Sequence, residues 1–359
     1  MIWSMIMKYC NDDKIMGILQ ALAVFFLLLC LPAAGCRKEA LFEREGNNSF
    51  ATANPIELQK DISGYLQDMD DRDYYSFNAP HRMVLDVSVS GIKGINHSIK
   101  VWKGGEQPVL IKLIDDSRKS SPERMVNLTV DPGQYFISIQ HGDGDRRVGD
   151  AESPYTLHIS YRDFVSEEAE PNDIPLQATP LSFGQELTGY FSPAYNRLNA
   201  LDQNQYREED WFSFQADMEQ GKPMLLDVSL SAVPGVNSLL QLCGPDMQPL
   251  ALADNNQSGL GEEFSGIGIT ASGTCYIMVS SVGYGANPDM PYHLSINKRE
   301  FDPSMEMEPN DSPEKAGSIV RNMVRGSINS PNDTDYFRYS ADGITSTCRL
   351  TLTPEGKSD

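Results

Sequence analysis

Hydrophobic and polar residues alternate with a period of two along most of the chain. In "MVLDVSVS", Met83, Leu85, Val87 and Val89 face one way, and Val84, Asp86, Ser88 and Ser90 face the other. The segments "QYFISIQ", "YTLHISY", "LLDVSLS" and "CYIMVSS" obey the same rule. Side chains alternate across a strand, so each segment predicts a half-buried antiparallel strand. Gly, Pro, Asn and Asp separate the segments and predict turns. No amphipathic helical period follows the N-terminal apolar run. Several short strands in about 120 residues predict an all-β fold, a two-sheet antiparallel β-sandwich with jelly-roll-like connections.

The pattern then repeats. Asn47, Asn172 and Asn310 align, as do Ala53, Ala178 and Ala316. Gly64 and Gly189 follow at the same spacing, and Gly326 comes one residue early. An acidic–aromatic block recurs next: "DDRDYYSF" from Asp70, "REEDWFSF" from Arg207 and "NDTDYFRY" from Asn332. "LDVSVSGIKGIN" at Leu85 answers "LDVSLSAVPGVN" at Leu226, and "SPYTLHIS" at Ser153 answers "MPYHLSIN" at Met290. This period is far longer than that of a solenoid, so each unit reads as a domain. The units run over 43–163 and 164–300. A third opens at 301, takes "CRLTLTP" as its last strand, and reads as incomplete at 359. Unit two carries an insertion, "SPAYNRLNALDQNQY", that reads as a surface loop.

The first residues depart from this pattern. Ile15 to Leu31 is an almost unbroken apolar run that ends in "PAAGC". Small residues before Cys36 predict a secretory signal over 1–35 with a lipoprotein cleavage site, rather than a membrane span. Cys36 then becomes the lipidated first residue, and 36–42 a linker on a membrane anchor. The junction resembles the bacterial lipoprotein pattern. There, Asp after the Cys marks inner-membrane retention, so Arg37 implies an outer-membrane address. In an exported chain, Cys243 and Cys275 can form a disulfide or remain two buried thiols; both readings stay open.

Charge changes the picture further. The 359 residues carry a net charge of −21 at pH 7. That balance argues against nucleic acid, whose phosphates need basic surfaces, and suits cation binding. Some of the acids form a comb written three times: "EREGNN" from Glu43, "EEAEPND" from Glu167 and "EMEPND" from Glu306. In an extended segment residues i and i+2 share a face, so Glu168, Glu170 and Asn172 do so. The acidic–aromatic block adds Glu208 and Asp210. These are hard oxygen ligands with no His or Cys among them, the set that calcium takes. An isolated comb would equally suit an acidic linker with a turn cap. Recurrence in register, each time with its acidic partner block, favours calcium. Unit one keeps Glu43, Glu45, Asn47, Asp71 and Asp73 but has Gly46 for Pro and Asn48 for Asp, so a site of lower charge is expected there. Unit three offers Glu306, Glu308, Asn310, Asp311, Asp333 and Asp335. The aromatic pairs after the acids read as core.

The order "EPND…A…G…D-x-D-Y-F-x-F" followed by "G-x-Y-x-I-x-V" resembles the bacterial pre-peptidase C-terminal domain family. Those β-sandwich modules are often appended to secreted peptidases and are similar to the collagen-binding domains of clostridial collagenases. The resemblance covers nearly all of 43–359. It implies calcium ligation by Glu168, Glu170, Asn172, Asp173 and Asp210, and by Glu306, Glu308, Asn310, Asp311 and Asp335. Arg207 stands where an acid of the block falls in the family.

No H-E-x-x-H, G-x-S-x-G or P-loop occurs, and the five His do not recur between units. The chain therefore reads as non-catalytic: a lipid-anchored, calcium-stabilised array that binds a surface polymer, protein or polysaccharide. The alternative is a structural spacer of the envelope, or the accessory region of a secreted hydrolase or peptidase whose catalytic domain lies outside this chain.

Overall fold

The computed structural model describes residues 41–354, except 116, 143–147, 193–208, 219–221, 255–256, 284, 329–332, 341–342, 344 and 346. Its first ten strands are β1 (Leu41–Phe42), β2 (Asn54–Pro55), β3 (Ile62–Gly64), β4 (Arg72–Ala79), β5 (Met83–Val89), β6 (His97–Lys103), β7 (Val109–Ile114), β8 (Glu123–Val130), β9 (Gly133–His141) and β10 (Tyr155–Asp163). They form two sheets, ordered β1-β3-β10-β5-β8 and β2-β4-β9-β6-β7. The next nine are β11 (Thr179–Pro180), β12 (Glu186–Phe191), β13 (Glu209–Ala216), β14 (Met224–Leu230), β15 (Asn237–Cys243), β16 (Pro249–Ala253), β17 (Glu262–Ile269), β18 (Gly273–Val282) and β19 (Asn287–Arg299). They repeat the same plan as β12-β19-β14-β17 and β11-β13-β18-β15-β16.

The period-two pattern accounts for these layers. Val87, Leu85, Leu128 and Ile159 meet Tyr75, Ile99, Ile137 and Ile139 in one apolar cluster. Leu226, Val228 and Ile296 meet Phe212, Leu240 and Ile277 in a second. Each cluster is the filling between two sheets, and burial of these side chains is the main favourable term in folding. The fold is thus all-β, with sandwich-like pairs of sheets in tandem.

The chain crosses from sheet to sheet at β3–β4–β5–β6 and again at β7–β8–β9–β10, as expected of jelly-roll-like connections, but no closure of one sheet on the other is seen among the described residues. Among the described residues each sheet keeps its own strands and open edges, and the short strands β2 and β11 run parallel to β4 and β13. A two-residue parallel pair, β20 (Gly317–Ser318) with β21 (Phe337–Arg338), repeats that contact after residue 301. The strand expected over "CRLTLTP" is also absent. Leu350 and Leu352 are 82% and 96% exposed, because no neighbouring strand takes their backbone groups and no sheet faces their side chains among the described residues.

Of the two readings left open for Cys243 and Cys275, the structure has the two buried thiols, both free. Cys243 lies directly opposite Tyr276, one residue out of step with Cys275. Neighbouring residues on a strand point to opposite faces. Cys275 therefore enters the inter-sheet core, while Cys243 packs outside it with Trp211 and Met278. Burial raises the pKa of both thiols, that of Cys275 to about 11. We expect a reducing agent to leave the melting temperature unchanged, and both thiols to react with a maleimide only after denaturation. Mass spectrometry of the labelled chain checks this; a two-dalton gain on reduction would contradict it.

The signal segment, Cys36, the insertion after Ser192 and Glu208 lie outside the described residues. Among the described residues no helix is long and apolar enough to cross a membrane.

Candidate metal centres

Each comb is fastened at both ends by its own unit. In unit two, Glu168 N donates to Thr188 O at 2.8 Å, beside β12, and Trp211 N donates to Asn172 O at 3.0 Å, on β13. Glu168 and Glu170 turn to one side, after which the backbone bends at Glu170 and passes through a cis Glu170–Pro171 bond to Asn172. Identical bonds recur elsewhere. Glu43 N reaches Ser63 O at 2.9 Å and Glu306 N reaches Arg325 O at 2.8 Å. Tyr74 N reaches Asn47 O at 2.9 Å and Tyr336 N reaches Asn310 O at 3.1 Å. Two strands in units one and two, and the matching segments in unit three, thus hold the comb against the acid that begins the aromatic block.

The result is three acidic trios. One oxygen each from Glu168, Glu170 and Asp210 lie within 4.8 Å of one another, and all three residues are buried. Glu43, Glu45 and Asp73 form the first trio, and Glu306, Glu308 and Asp335 the third. Two carboxylates at such a separation repel by roughly 3–4 kcal/mol at an effective dielectric constant of about 20. Burial, then the charges of Glu168 and Glu170, hold the Asp210 carboxyl well above its ordinary range. Burial, then Glu43, push Asp73 up to about 9. Burial pushes Glu306 and Glu308 each to about 7, against hydrogen bonds from Ser327 N and Asn310 N.

The protein supplies some compensation. Tyr190 N donates to Glu168 Oε1 at 2.7 Å, Tyr65 N to Glu43 Oε1 at 2.5 Å, and Ser327 N to Glu306 Oε1. The Tyr292 hydroxyl lies 2.8 Å from Glu168 Oε2 and 2.6 Å from Asp210 Oδ2. One hydroxyl has one proton, so these two carboxylates share a single donor. Tyr155 stands in the same place in unit one, 2.5 Å from Asp73 Oδ2 and 2.6 Å from the Tyr75 hydroxyl, which donates to Glu43 Oε2 at 2.7 Å.

Much is left over. Glu170 Oε1, Asp210 Oδ1 and both amide atoms of Asn172 are buried without a hydrogen-bond partner. Asp73 Oδ1 and Asn47 Oδ1 are in the same condition in unit one, as are Glu308 Oε1, Asp335 Oδ1 and Asn310 Oδ1 in unit three. Asn47, Asn172 and Asn310 are each fully buried. Such groups are costly unless something answers them. All but Asn172 Nδ2 are oxygens; those of the Asn and of the block Asp recur in all three units, and that of the second Glu in units two and three. A hard divalent cation fits that donor set, and zinc, which prefers nitrogen and sulfur, does not.

The other expected ligands fall beside the trios. Asp71 accepts from Gln67 N at 2.7 Å and Arg72 N at 2.9 Å, so its own turn occupies it. Asp173 is half-buried with a raised pKa, through burial, with Lys112 opposing and Glu170 adding to the shift. Asp311 and Asp333 line a cavity of about 110 Å³ with Glu308 and Ala251. Glu45 is exposed, and the Gln67 amide donates to it. Sequence reasoning missed Tyr75, Tyr155 and Tyr292. The signal was present in the "PY" that recurs at Tyr155 and Tyr292, and it shows its purpose only when the strand pairing is known.

No family model matches the chain. A segment of 106 residues is 26% identical to Collagenase ColT of Clostridium tetani, covering 30% of this chain and 10% of that protein. The chain thus spans about a tenth of the length of that curated relative. Among solved structures, the pre-peptidase C-terminal domain of a Bacillus anthracis collagenase is similar at 21% identity and a TM-score of 0.25, over 30% of this chain and 94% of that one. The Aeromonas hydrophila periplasmic inhibitor of g-type lysozyme, PliG, is similar at 19% identity and a TM-score of 0.23, over 31% of this chain and 96% of the inhibitor.

Proposed function

We propose that the chain is a non-catalytic accessory array whose units each hold one calcium ion between their comb and their own sheets. The observation that carries this reading is the threefold recurrence, in register, of a trio of carboxylates with orphaned buried oxygens and a buried Asn. Glu168, Glu170, Asn172 and Asp210 would hold the ion in unit two, Glu306, Glu308, Asn310 and Asp335 in unit three, and Glu43, Asn47 and Asp73 with exposed Glu45 in unit one. Asp173, Asp311 and Asp333 add charge close by. When bound, the ion supplies positive charge and ligand geometry, and no reaction.

The comb also touches the unit before it. The Thr129 hydroxyl on β8 donates to Glu168 O at 3.4 Å, and Gly268 N on β17 donates to Glu308 O at 2.7 Å. A segment fixed from both sides sets the angle between successive units. This favours a spacer or accessory role over a free-standing polymer binder, and the partial likeness to a segment of a collagenase supports the same choice. Cys36 would attach the array to a membrane by lipid, on the extracytoplasmic side, and a protein or polysaccharide partner remains part of the reading.

Isothermal titration of the metal-free chain with calcium should give three sites, the weakest in unit one. Asp210→Asn should remove one of them and leave two. A titration without heat at millimolar calcium, or an unchanged count in the variant, would refute the reading.

A further inference from the structure

Among the described residues, the junction of units one and two holds a feature that the junction of units two and three lacks. Lys112, on β7 of unit one, extends into the second comb. Its Nζ lies 3.7 Å from Glu170 Oε2, with the two side chains 14% and 3% exposed. A buried ammonium is expensive unless negative charge surrounds it. Here Glu170 provides that charge, with Asp173 close enough for the ammonium to oppose its pKa rise. The separation is long for a charge-assisted hydrogen bond, whose usual length is about 2.7–2.9 Å. The ammonium therefore lies in the field of the trio without satisfying Glu170 Oε1, which keeps no partner.

Strand register locates the same position in unit two. Tyr75, Ile137, Val101 and Lys112 form one row across β4, β9, β6 and β7. Phe212, Ile277, Leu242 and Ala251 form the matching row across β13, β18, β15 and β16. Lys112 thus corresponds to Ala251. Ala251 faces the third comb in the equivalent way: with Leu250 and Leu252 it lines the cavity that holds Glu308, Asp311 and Asp333. One comb meets a tethered ammonium, and the next meets a methyl group.

We infer that Lys112 is a built-in competitor for the second centre, a tethered cation that partly neutralises the comb and must yield when a divalent ion binds. This rests on the proposal that the combs hold calcium. Its consequence is a division of labour along the array. The first junction stays closed by its own charge when calcium is scarce, whereas the second junction depends on the ion. The third centre accordingly binds calcium more tightly than the second. Ligand charge tunes such sites, and Lys112 subtracts one unit of it from the second where Ala251 leaves the third untouched.

The test uses the full chain. Lys112→Met keeps most of the apolar stem and removes the charge. It should tighten, by roughly tenfold, the calcium site that Asp210→Asn deletes. It should also lower the melting temperature in chelator, while Lys112→Arg holds both near wild type. The mirror variant, Ala251→Lys, should weaken the third site by a similar factor. Calcium binding at the second site that is unchanged by Lys112→Met, or an unchanged melting temperature in chelator, overturns the inference while leaving the calcium reading standing. No calcium binding in the wild-type chain removes both.

Discussion

In chelator, the chain should melt lower at pH 8 than at pH 5, and millimolar calcium should reverse that order. The sign follows from the carboxyls of the combs. Asp73 is pushed up to about 9, and Glu306 and Glu308 to about 7, in each case first by burial. A carboxyl whose folded pKa exceeds its unfolded value contributes stability that is complete below the unfolded pKa. That contribution is lost as pH rises through the folded pKa. For Glu306 and Glu308 the loss runs from their ordinary value of 4.5 to about 7, and for Asp73 from 3.8 to about 9. Calcium inverts the dependence because its ligands must be deprotonated. An ion that binds only the folded state adds RT ln(1 + [L]/Kd), about 2.7 kcal/mol per site at a hundredfold excess over Kd. Thermal melts at the two pH values, with calcium and with chelator, check the prediction. A chelated chain that gains stability from pH 5 to pH 8 would show that the combs are solvated acids of ordinary kind.

The combs and the sandwiches were legible because both are local patterns. The i, i+2 spacing of Glu168 and Glu170 needs only an extended backbone, and the alternation in "MVLDVSVS" needs only a sheet. Recurrence then linked Asp73, Asp210 and Asp335 to their combs without any knowledge of the fold. What stayed hidden depends on which strands become neighbours. Tyr292 reaches Glu168 and Asp210 from a strand paired with β12 and β14, and nothing in the order of residues announces that pairing. Lys112 meets Glu170 only because the first unit lies against the second comb. Neighbouring strand patterns left the pairing of Cys243 and Cys275 open, and a register offset of one residue, which sends them to opposite faces, decides it. "CRLTLTP" has strand alternation but no neighbour, and alternation alone forms no ladder.

Gly189→Ala should abolish calcium binding in unit two although it changes no charge and no ligand. Gly189 lies in β12, where the comb, β19 and the acidic trio converge. A Cβ there would lie under 3.0 Å from the Tyr292 hydroxyl and from Glu168 Oε2. Neither neighbour can retreat freely. Tyr292 is fully buried, and its hydroxyl is held by Glu168 and Asp210. Glu168 is held by Tyr190 N. Gly64 and Gly326 meet the same constraint: a Cβ at the first would strike the hydroxyls of Tyr155 and Tyr75, and one at the second would strike the carboxylate of Glu306. Close approach, rather than backbone freedom, thus explains why glycine recurs at this point of every unit. Overpacking of a tight site costs about 1–3 kcal/mol. The variant should lose that much in chelator, and in calcium it should lose in addition the stabilisation that the ion gives the second unit. Calorimetric titration should count one site fewer than wild type. A variant that binds calcium with wild-type count and affinity would mean that Glu168 and Tyr292 can move apart without consequence, and that the trio is not the place where the ion is held.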